Sequence, residues 1–334
     1  MAVRVSADAT PTVRCAIVGL GRIGSLLEND PLREKPCTHA GAIAGNPACE
    51  LVGGCDGDAE RRAGFTAQWG CDNVYPDIDQ LLEKTRPQLL IVATHPQSHR
   101  QMVERAVAHE VAVVVCEKPL ADNLRNARAI ASLHRRGVVT VLTNHERRYS
   151  ADYRNVRKAV ADQRFGALVS LRGTLYFGRK TRHDRVLLHD GTHMVDIINY
   201  LAGGRLRIRK CLGSMRSNRS SAFLYAAIGA VPAVIEVGAE RDHLVFEIEL
   251  SFERGRIRVG NGVYTFEQSV TSPYYEGFRS LQPLDVAAVG QTGYFAGMLA
   301  DAVACVADPR RSPVSSAVDG LFSMRFIRAL RSRI

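Results

Sequence analysis

The sequence predicts a two-domain α/β protein, with a doubly wound parallel sheet first and a mostly antiparallel, open sheet with helices after it. The chain has 334 residues, which is more than a single hydrophobic core usually supports. Up to about residue 145 short apolar runs alternate with helical patterns, and beyond about residue 150 the strand-like runs alternate apolar and polar residues. We therefore expect domains at residues 1–145 and 146–334.

The apolar runs of the first domain lack polar alternation, as strands covered on both faces do. They are Val13–Val18, Leu51–Cys55, Leu89–Ala93, Val111–Cys116 and Val138–Thr143. Helical patterns such as Ser98–Glu110 and Asn123–Arg136 lie between them. The simplest arrangement is a series of β-α-β units with right-handed crossovers.

The second domain begins with a helical stretch at 151–163 and continues with alternating runs such as Leu168–Phe177 and Leu244–Phe252. Alternation with hairpin turns is typical of an antiparallel sheet that has one covered face. Helical segments at Tyr294–Ala307 and Val314–Arg331 end the chain. Whether these two helices pack back on the first domain stays open.

The composition excludes several classes of protein. The chain is 46% hydrophobic and 23% charged, as globular proteins are. No apolar run approaches the ~18 residues of a membrane span and no secretory signal is present, so we expect a cytoplasmic protein. Its eight cysteines are scattered without a C-x-x-C pair, which predicts reduced thiols and no metal. The net charge of +10 comes from dispersed basic residues, which argues against nucleic-acid binding.

A glycine-rich turn follows the first predicted strand. Gly19, Gly21 and Gly24 form a G-x-G-x-x-G motif, with Arg22 and Ile23 inside it. The first glycine permits a tight turn, the second admits a pyrophosphate, and the third lets the following helix touch the strand. The motif predicts dinucleotide binding, although methyltransferases also carry it.

Asp56 ends the second predicted strand, where a carboxylate would accept hydrogen bonds from the adenosine ribose. It favours NAD, with NADP as the alternative cofactor. The spacing from Gly24 to Asp56 exceeds the ~20 residues usual for this motif, so we expect an insertion at Glu28–Cys37 before a helix resumes at Thr38–Ile43. Alternatively, Asp56 caps the next helix.

Lys118 follows Glu117 at the end of the fourth predicted strand, the edge at which open sheets bind ligands. Only six of the 44 basic residues are lysines, so a lysine here suggests a specific use. An ammonium can donate to the oxygen of a reacting alcohol and stabilise its developing charge. The alternative is an exposed Glu117–Lys118 ion pair.

The candidate proton-transfer residues are His189, Asp190, His193 and Asp196. Their spacing places them on one face of a helix that runs to about Leu201. A carboxylate can fix the tautomer of an imidazole whose other nitrogen takes a substrate proton. Two alternatives are an N-cap role for Asp190 with a solvent-facing His193, and a two-histidine metal site that lacks a third ligand.

Together these motifs resemble the Gfo/Idh/MocA oxidoreductases. The resemblance rests on A-I-V-G-L-G-R-I-G at 16–24, on Glu117-Lys118-Pro119 and on His193-x-x-Asp196. Two further segments are similar to the family's threonine-proline and asparagine–arginine segments: 93–99, with Thr94, His95 and His99, and 144–148, with Asn144, Arg147 and Arg148.

The resemblance implies a Rossmann domain and an NAD(P)-dependent oxidoreductase that transfers a hydride between nicotinamide and a secondary alcohol of a sugar or cyclitol. It makes Lys118 and His193 the catalytic pair and pairs subunits, as a homodimer or homotetramer, through the free face of the second sheet. Thr94, His95, His99 and Glu117 are placed by it at the cofactor; Asn144, Arg147, Arg148 and Asp196 are the substrate candidates.

Some residues depart from the family pattern. His189 stands where many relatives have an aspartate, so His189 or Asp190 could partner His193. Arg147, Arg148, Arg179 and Arg182 could favour an anionic substrate group. Alternative functions are an NAD-dependent glycosidase and a non-catalytic nicotinamide-binding regulator.

Overall fold

The computed structural model describes residues 12–178 and 181–331. The chain forms two compact units. The first contains the chain up to Glu117 together with residues 129–144 and 295–316, and the second contains residues 118–128, 145–294 and 317 onwards. The division is therefore interleaved, whereas the sequence predicts two continuous domains.

The first unit is built on a six-stranded parallel sheet in the order β3-β2-β1-β4-β5-β6. The strands are β1 (Val13–Val18), β2 (Cys49–Cys55), β3 (Val74–Tyr75), β4 (Leu89–Val92), β5 (Val113–Cys116) and β6 (Thr140–Thr143). The predicted doubly wound parallel sheet is confirmed. Only the two-residue β3 escapes the pattern, because it is too short to show one.

The helices that follow these strands are α1 (His39–Ala44), α2 (Ala59–Trp69), α3 (Ile78–Thr85), α4 (His99–Ala108) and α5 (Leu124–Arg135). The sequence predicts a helix directly after Gly24, and this prediction is wrong. The turn leads only into a short 3-10 helix, Leu26–Asn29. Prolines at 31 and 36 cannot continue a helix. The predicted insertion is confirmed, since α1 begins after the N-cap Thr38, whose side chain accepts a hydrogen bond from Gly41 N.

The second unit contains an eight-stranded sheet in the order β14-β13-β12-β11-β7-β10-β9-β8. Its strands are β7 (Leu168–Phe177), β8 (Arg207–Leu212), β9 (Ser221–Ile228), β10 (Val231–Ala239), β11 (Val245–Phe252), β12 (Gly255–Gly260), β13 (Val263–Thr271) and β14 (Arg279–Leu284). All neighbours are antiparallel except β7 and β10. The predicted mostly antiparallel sheet is confirmed.

One face of this sheet forms the core with α6 (Ala151–Ala161), α8 (Gly191–Ala202) and α10 (Ala317–Arg331). Helix α8 lies close to β7 at Gly173, where a Cβ would come within 3.1 Å of Met194 Sδ. The other face carries cross-strand ion pairs, such as Arg258 with Glu247 at 2.7 Å. Pairing of subunits through this face stays a prediction.

Two predicted helix boundaries are wrong. The helix expected to begin near Leu188 is two helices, α7 (His183–His189) and α8, which meet at Asp190. The last helix begins at Ala317 rather than Val314, because Ser315 and Ser316 form backbone hydrogen bonds with Thr143 and Leu142 at the edge of β6. Helix α9 (Tyr294–Ala307) has its predicted bounds.

Candidate active site

The carboxyl ends of five strands of the first unit lie along one edge of its sheet. Backbone hydrogen bonds join each end to its neighbour: Gly19 N to Cys55 O, Ala93 N to Val18 O, Glu117 N to Val92 O and Asn144 N to Cys116 O. The strand order reverses beside β1, and open sheets bind ligands at such a switch point. The glycine turn, Asp56, Thr94, Glu117 and Asn144 all follow these strand ends.

The three glycines of the turn fit the tasks that the sequence assigns them. Gly19 has φ of +94°, and a Cβ there would lie 2.6 Å from the carbonyl carbon of Ala93. A Cβ on Gly24 would lie 2.1 Å from Gly19 O. At Gly21 the nearest atom would be an Arg61 nitrogen at 3.8 Å, so the backbone is open to a pyrophosphate. Arg22 is exposed and Ile23 half-buried beside this opening.

Asp56 joins the turns after β1 and β2. Its Oδ2 accepts from Leu20 N at 2.9 Å, its Oδ1 accepts from Asp58 N at 3.0 Å, and Arg61 lies 3.5 Å away. The alternative role as a helix cap is wrong, because Asp58 caps α2 through Glu60 N and Arg61 N. A carboxylate next to the glycine turn is the group that a ribose diol would meet.

Glu117 is buried at the centre of a hydrogen-bonded cluster. Its Oε1 accepts from Asn144 Nδ2 at 2.6 Å and lies 2.8 Å from Nε2 of His39, the first residue of α1. Glu117 thus ties α1 to the ends of β5 and β6, directly before Lys118. The alternative of an exposed Glu117–Lys118 ion pair is wrong, because Glu117 is buried and contacts His39 and Asn144.

The segment from Thr94 to His99 forms a compact turn into α4. Thr94 Oγ1 lies 2.7 Å from Ser98 Oγ, and the fully buried His99 places Nε2 3.0 Å from Thr94 O. His95 is exposed. The ring of His99 supports the turn through the backbone of Thr94, while contact of the three residues with a cofactor stays a prediction.

In the second unit Lys118 is anchored at the junction of α7 and α8. Its Nζ donates to His189 O at 2.9 Å and lies 4.0 Å from an oxygen of Asp190. Asp190 Oδ2 lies 3.0 Å from His189 Nδ1. Burial alone would raise the pKa of the Asp190 carboxyl, but the His189 hydrogen bond and the charge of Lys118 lower that pKa below its usual value.

His193 is buried on α8, so the alternative of a solvent-facing His193 is wrong. Its Nδ1 lies 3.4 Å from Glu146 Oε2, an ion-pair distance without hydrogen-bond geometry. Burial lowers the pKa of His193 well below its usual value, and the positive charges of Lys118 and Arg147 lower it further. The ring is therefore neutral at pH 7 and able to accept a proton.

His189 does not share a helix face with His193, because the helix breaks at Asp190. The side chain of His189 is 69% exposed. Asp190 occupies the N-cap position of α8, but its side chain caps no backbone amide. Among the described residues neither His189 nor Asp190 forms a hydrogen bond or ion pair with His193.

Asp196 and Arg148 form a buried ion pair rather than an open anion site. Arg148 donates to both oxygens of Asp196 at 2.7 Å and lies 3.3 Å from Asp319. His145 Nδ1 lies 3.0 Å from Asp196. Burial would raise the pKa of Asp196, but Arg148 and His145 hold it well below its usual value. Direct substrate contact by Asp196 or Arg148 stays a prediction.

Arg147 lies beside this pair. Its guanidinium stacks 3.7 Å from the ring centroid of Phe246 and donates to Asn261 Oδ1 at 3.1 Å. Arg182 pairs with Asp184 at 2.8 Å, and Arg179 lies outside the described residues. An anionic substrate group therefore gains no support from Arg182 or Arg148, whose charges face carboxylates.

These clusters also contain His39, His145 and Glu146, which are not among the candidate residues that the sequence indicates. His145 and Glu146 follow Asn144 at the end of β6, the same signal that singled out Lys118 after β5. Within residues 12–178 and 181–331, no group of three histidine, cysteine or acidic side chains is placed to hold a metal, and no helix is long and apolar enough to cross a bilayer.

Part of the chain is similar in sequence to known oxidoreductases, and nearly the whole chain is similar to one in fold. Residues 13–145 match the sequence model of the Gfo/Idh/MocA oxidoreductase family, which has an NAD-binding Rossmann fold. The chain is similar to D-apiose dehydrogenase of Paraburkholderia graminis, with 29% identity over 184 residues, 50% of this chain and 47% of that protein. It is 26% identical to inositol 2-dehydrogenase of Rhizobium meliloti over 155 residues, 46% of this chain and 42% of that protein.

These sequence matches thus span less than half the length of either relative. The fold, in contrast, is similar over nearly the whole chain to an oxidoreductase from Agrobacterium radiobacter solved in complex with NAD+, L-tartaric acid and magnesium. The TM-score is 0.73, with 17% identity and 96% of each chain covered. At that identity the likeness concerns the fold alone.

Proposed function

Because residues 13–145 match the sequence model of the Gfo/Idh/MocA oxidoreductases, we propose that this chain catalyses the reversible, nicotinamide-dependent oxidation of a secondary alcohol on a sugar or cyclitol. The observation that carries the proposal is the pairing of a buried His193 on α8 with a Lys118 whose ammonium is anchored on the carbonyl of His189, directly before that helix. The dehydrogenase names of the two sequence relatives support the substrate class.

The glycine turn and Asp56 fit the cofactor, and bound nicotinamide would supply a two-electron hydride acceptor. In the proposed reaction the neutral His193 takes the proton of the substrate hydroxyl. Lys118, anchored on the carbonyl of His189, donates to the same oxygen and stabilises its developing negative charge. In the reverse direction His193 returns the proton.

We further propose that NAD is preferred to NADP. The carboxylate of Asp56 would accept from ribose hydroxyls and repel a 2′-phosphate. The nearby Arg61 guanidinium is paired with Asp56 and Asp58, at 3.5 Å and 3.6 Å, which reduces its attraction for a phosphate.

The test is a panel of sugars, polyols and cyclitols, with the absorbance of reduced nicotinamide as the readout. We expect at least one to be oxidised, and Lys118→Met and His193→Asn each to lower kcat by roughly 10²-fold or more. Binding of NADH, measured by fluorescence, should be unchanged in both variants. Lys84→Met is the matched control, because Lys84 is an exposed lysine of α3.

Other outcomes would identify other functions. If both variants keep wild-type turnover, Lys118 and His193 are not the catalytic pair. Tight NADH binding without oxidation of any panel member would favour a regulator. Release of sugar from an aryl glycoside with no net change in nicotinamide absorbance would favour the glycosidase.

A further inference from the structure

His193 carries a buried ring nitrogen whose hydrogen-bonding need is not met. Its Nδ1 has no hydrogen-bond partner among the described residues, although it is shielded from water. A buried polar atom of this kind is costly unless a partner reaches it. For a histidine that exchanges protons, the partner also decides which nitrogen carries the hydrogen.

Glu146 is the carboxylate that can supply this partner. Its Oε2 lies 3.4 Å from His193 Nδ1, and in the described part of the chain it is the one carboxylate within ion-pair distance of that ring. Asp190, one of the two partners that the sequence leaves open, faces His189 and Lys118 instead. Asp196 faces Arg148 and His145.

The distance of 3.4 Å fits a contact that tightens when substrate binds. Hydrogen bonds of catalytic groups are often long or misaligned without substrate. Glu146 opens the 3-10 helix 146–149 and is half-buried beside the ring.

We propose that Glu146 is the positioning residue of His193: its carboxylate accepts a hydrogen bond from Nδ1–H and thereby leaves Nε2 as the acceptor for the substrate. The second half of this inference rests on the proposed dehydrogenase function. During oxidation the hydroxyl O–H bond breaks and an Nε2–H bond forms. The C–H bond of the same carbon breaks as its C=O bond forms, and a bound nicotinamide would accept the hydride. The imidazolium left on His193 faces the negative charge of Glu146.

The carboxylate of Glu146 opposes the effect of the positive charges around His193 on the pKa of its ring. Lys118, Arg147, His145 and His189 all disfavour a positive His193. Glu146 opposes them, because a carboxylate at this distance favours the imidazolium. It would thus keep His193 basic enough to accept a proton from an alcohol.

The first test needs no activity. Full-length protein labelled with ¹⁵N-histidine is examined by NMR between about pH 6 and 8, and the His193 signals are assigned from their loss in His193→Asn. We expect the neutral Nδ1–H tautomer in the wild type and in Glu146→Gln, whose amide oxygen can still accept. Glu146→Ala should shift the ring toward the Nε2–H tautomer.

Two further variants act as comparisons in this experiment. Asp190→Asn tests the carboxylate that the sequence leaves open as a partner, and Glu276→Gln is a matched control at an exposed position of the same unit. Both should give wild-type spectra for His193. An Nε2–H tautomer in the wild type, or an unchanged tautomer in Glu146→Ala, would overturn the proposal.

The second test uses a substrate from the panel. Glu146→Gln should lower kcat about tenfold, within the range seen for residues that orient a reacting group, without changing NADH binding. Loss of the negative charge should also move the acidic limb of the kcat profile to lower pH, since the active form is neutral His193. A merely structural role would reduce the folded fraction and leave that limb in place.

Failure of the two proposals can be told apart. If no substrate is turned over but the tautomer responds to Glu146→Ala, the dehydrogenase function fails and the pairing stands. If substrate is turned over but neither the tautomer nor the pH limb responds, the function stands and the role of Glu146 is refuted.

Discussion

The carboxylate of Asp56 is shared between the protein and a proposed ligand. One oxygen accepts from Leu20 N in the glycine turn and the other from Asp58 N, so the carboxylate is held at the place where a ribose would lie. A carboxylate oxygen has two lone pairs and can accept a further hydrogen bond. The guanidinium of Arg61 lies 3.5 Å from Asp56 Oδ2, so the negative charge of Asp56 partly balances its positive charge.

We expect Asp56→Asn to shift cofactor preference toward NADP. The amide keeps one acceptor oxygen for the turn, removes the charge that repels a 2′-phosphate, and leaves Arg61 less neutralised. The ratio of the NADPH and NADH dissociation constants, from fluorescence titration, should change by roughly tenfold or more, which corresponds to about 1.4 kcal/mol. The exposed Asp72→Asn should leave the ratio unchanged. A wild type that prefers NADPH would refute the NAD assignment directly.

At the scale of elements, the buried pair of Arg148 and Asp196 joins three segments. Arg148 lies on the 3-10 helix 146–149, Asp196 on α8 and Asp319 on α10. Glu146 and His193, which we propose to be hydrogen-bonded partners, are on the first two of these segments. The ion pair therefore fixes the positions of the segments that carry Glu146 and His193.

Asp196→Asn should destabilise the second unit strongly. Breaking a buried ion pair leaves an uncompensated charge and costs about 3–5 kcal/mol. Hydrogen exchange should show lost amide protection in α8 and in residues 146–149. Asp162→Asn removes the partner of an exposed Lys158 pair and should cost about 0.5 kcal/mol or less. Equal effects of the two substitutions would contradict the structural role of the buried pair.

The elements differ in how far sequence predicts them. The parallel strands are predictable because each is a continuous apolar run bounded by polar turns. The break between α7 and α8 at Asp190 is not predictable. Its φ of −110° and ψ of −19° lie close to helical values, and no proline or glycine precedes it directly. The hydrogen bond from Lys118 Nζ to His189 O also cannot be predicted from local sequence, because it joins residues that are far apart in the chain. For the same reason the sequence leaves His189 and Asp190 as alternative partners of His193 and does not indicate Glu146, which only the fold brings near that ring.

At the scale of the whole molecule, each unit carries a different part of the proposed chemistry. The first carries the glycine turn and Asp56, whereas the second carries Lys118 and His193. Within the first unit Glu117 is fixed by His39 and Asn144, and within the second Lys118 is fixed at the start of α8.

The buried, neutral His193 predicts a pH dependence of unfolding. Its pKa in the folded protein is well below the 6.5 of an ordinary histidine, so between these values the unfolded chain binds more protons than the folded one. The free energy of unfolding should therefore fall as pH drops below about 6.5. Calorimetry from about pH 7 to about pH 5.5 should show Tm falling more steeply in the wild type than in His193→Asn, which lacks the titrating ring.

The exposed His95→Asn should follow the wild-type slope. Parallel Tm curves for wild type and His193→Asn would show that His193 is protonated as easily in the folded protein as in the unfolded chain, which would refute the lowered pKa.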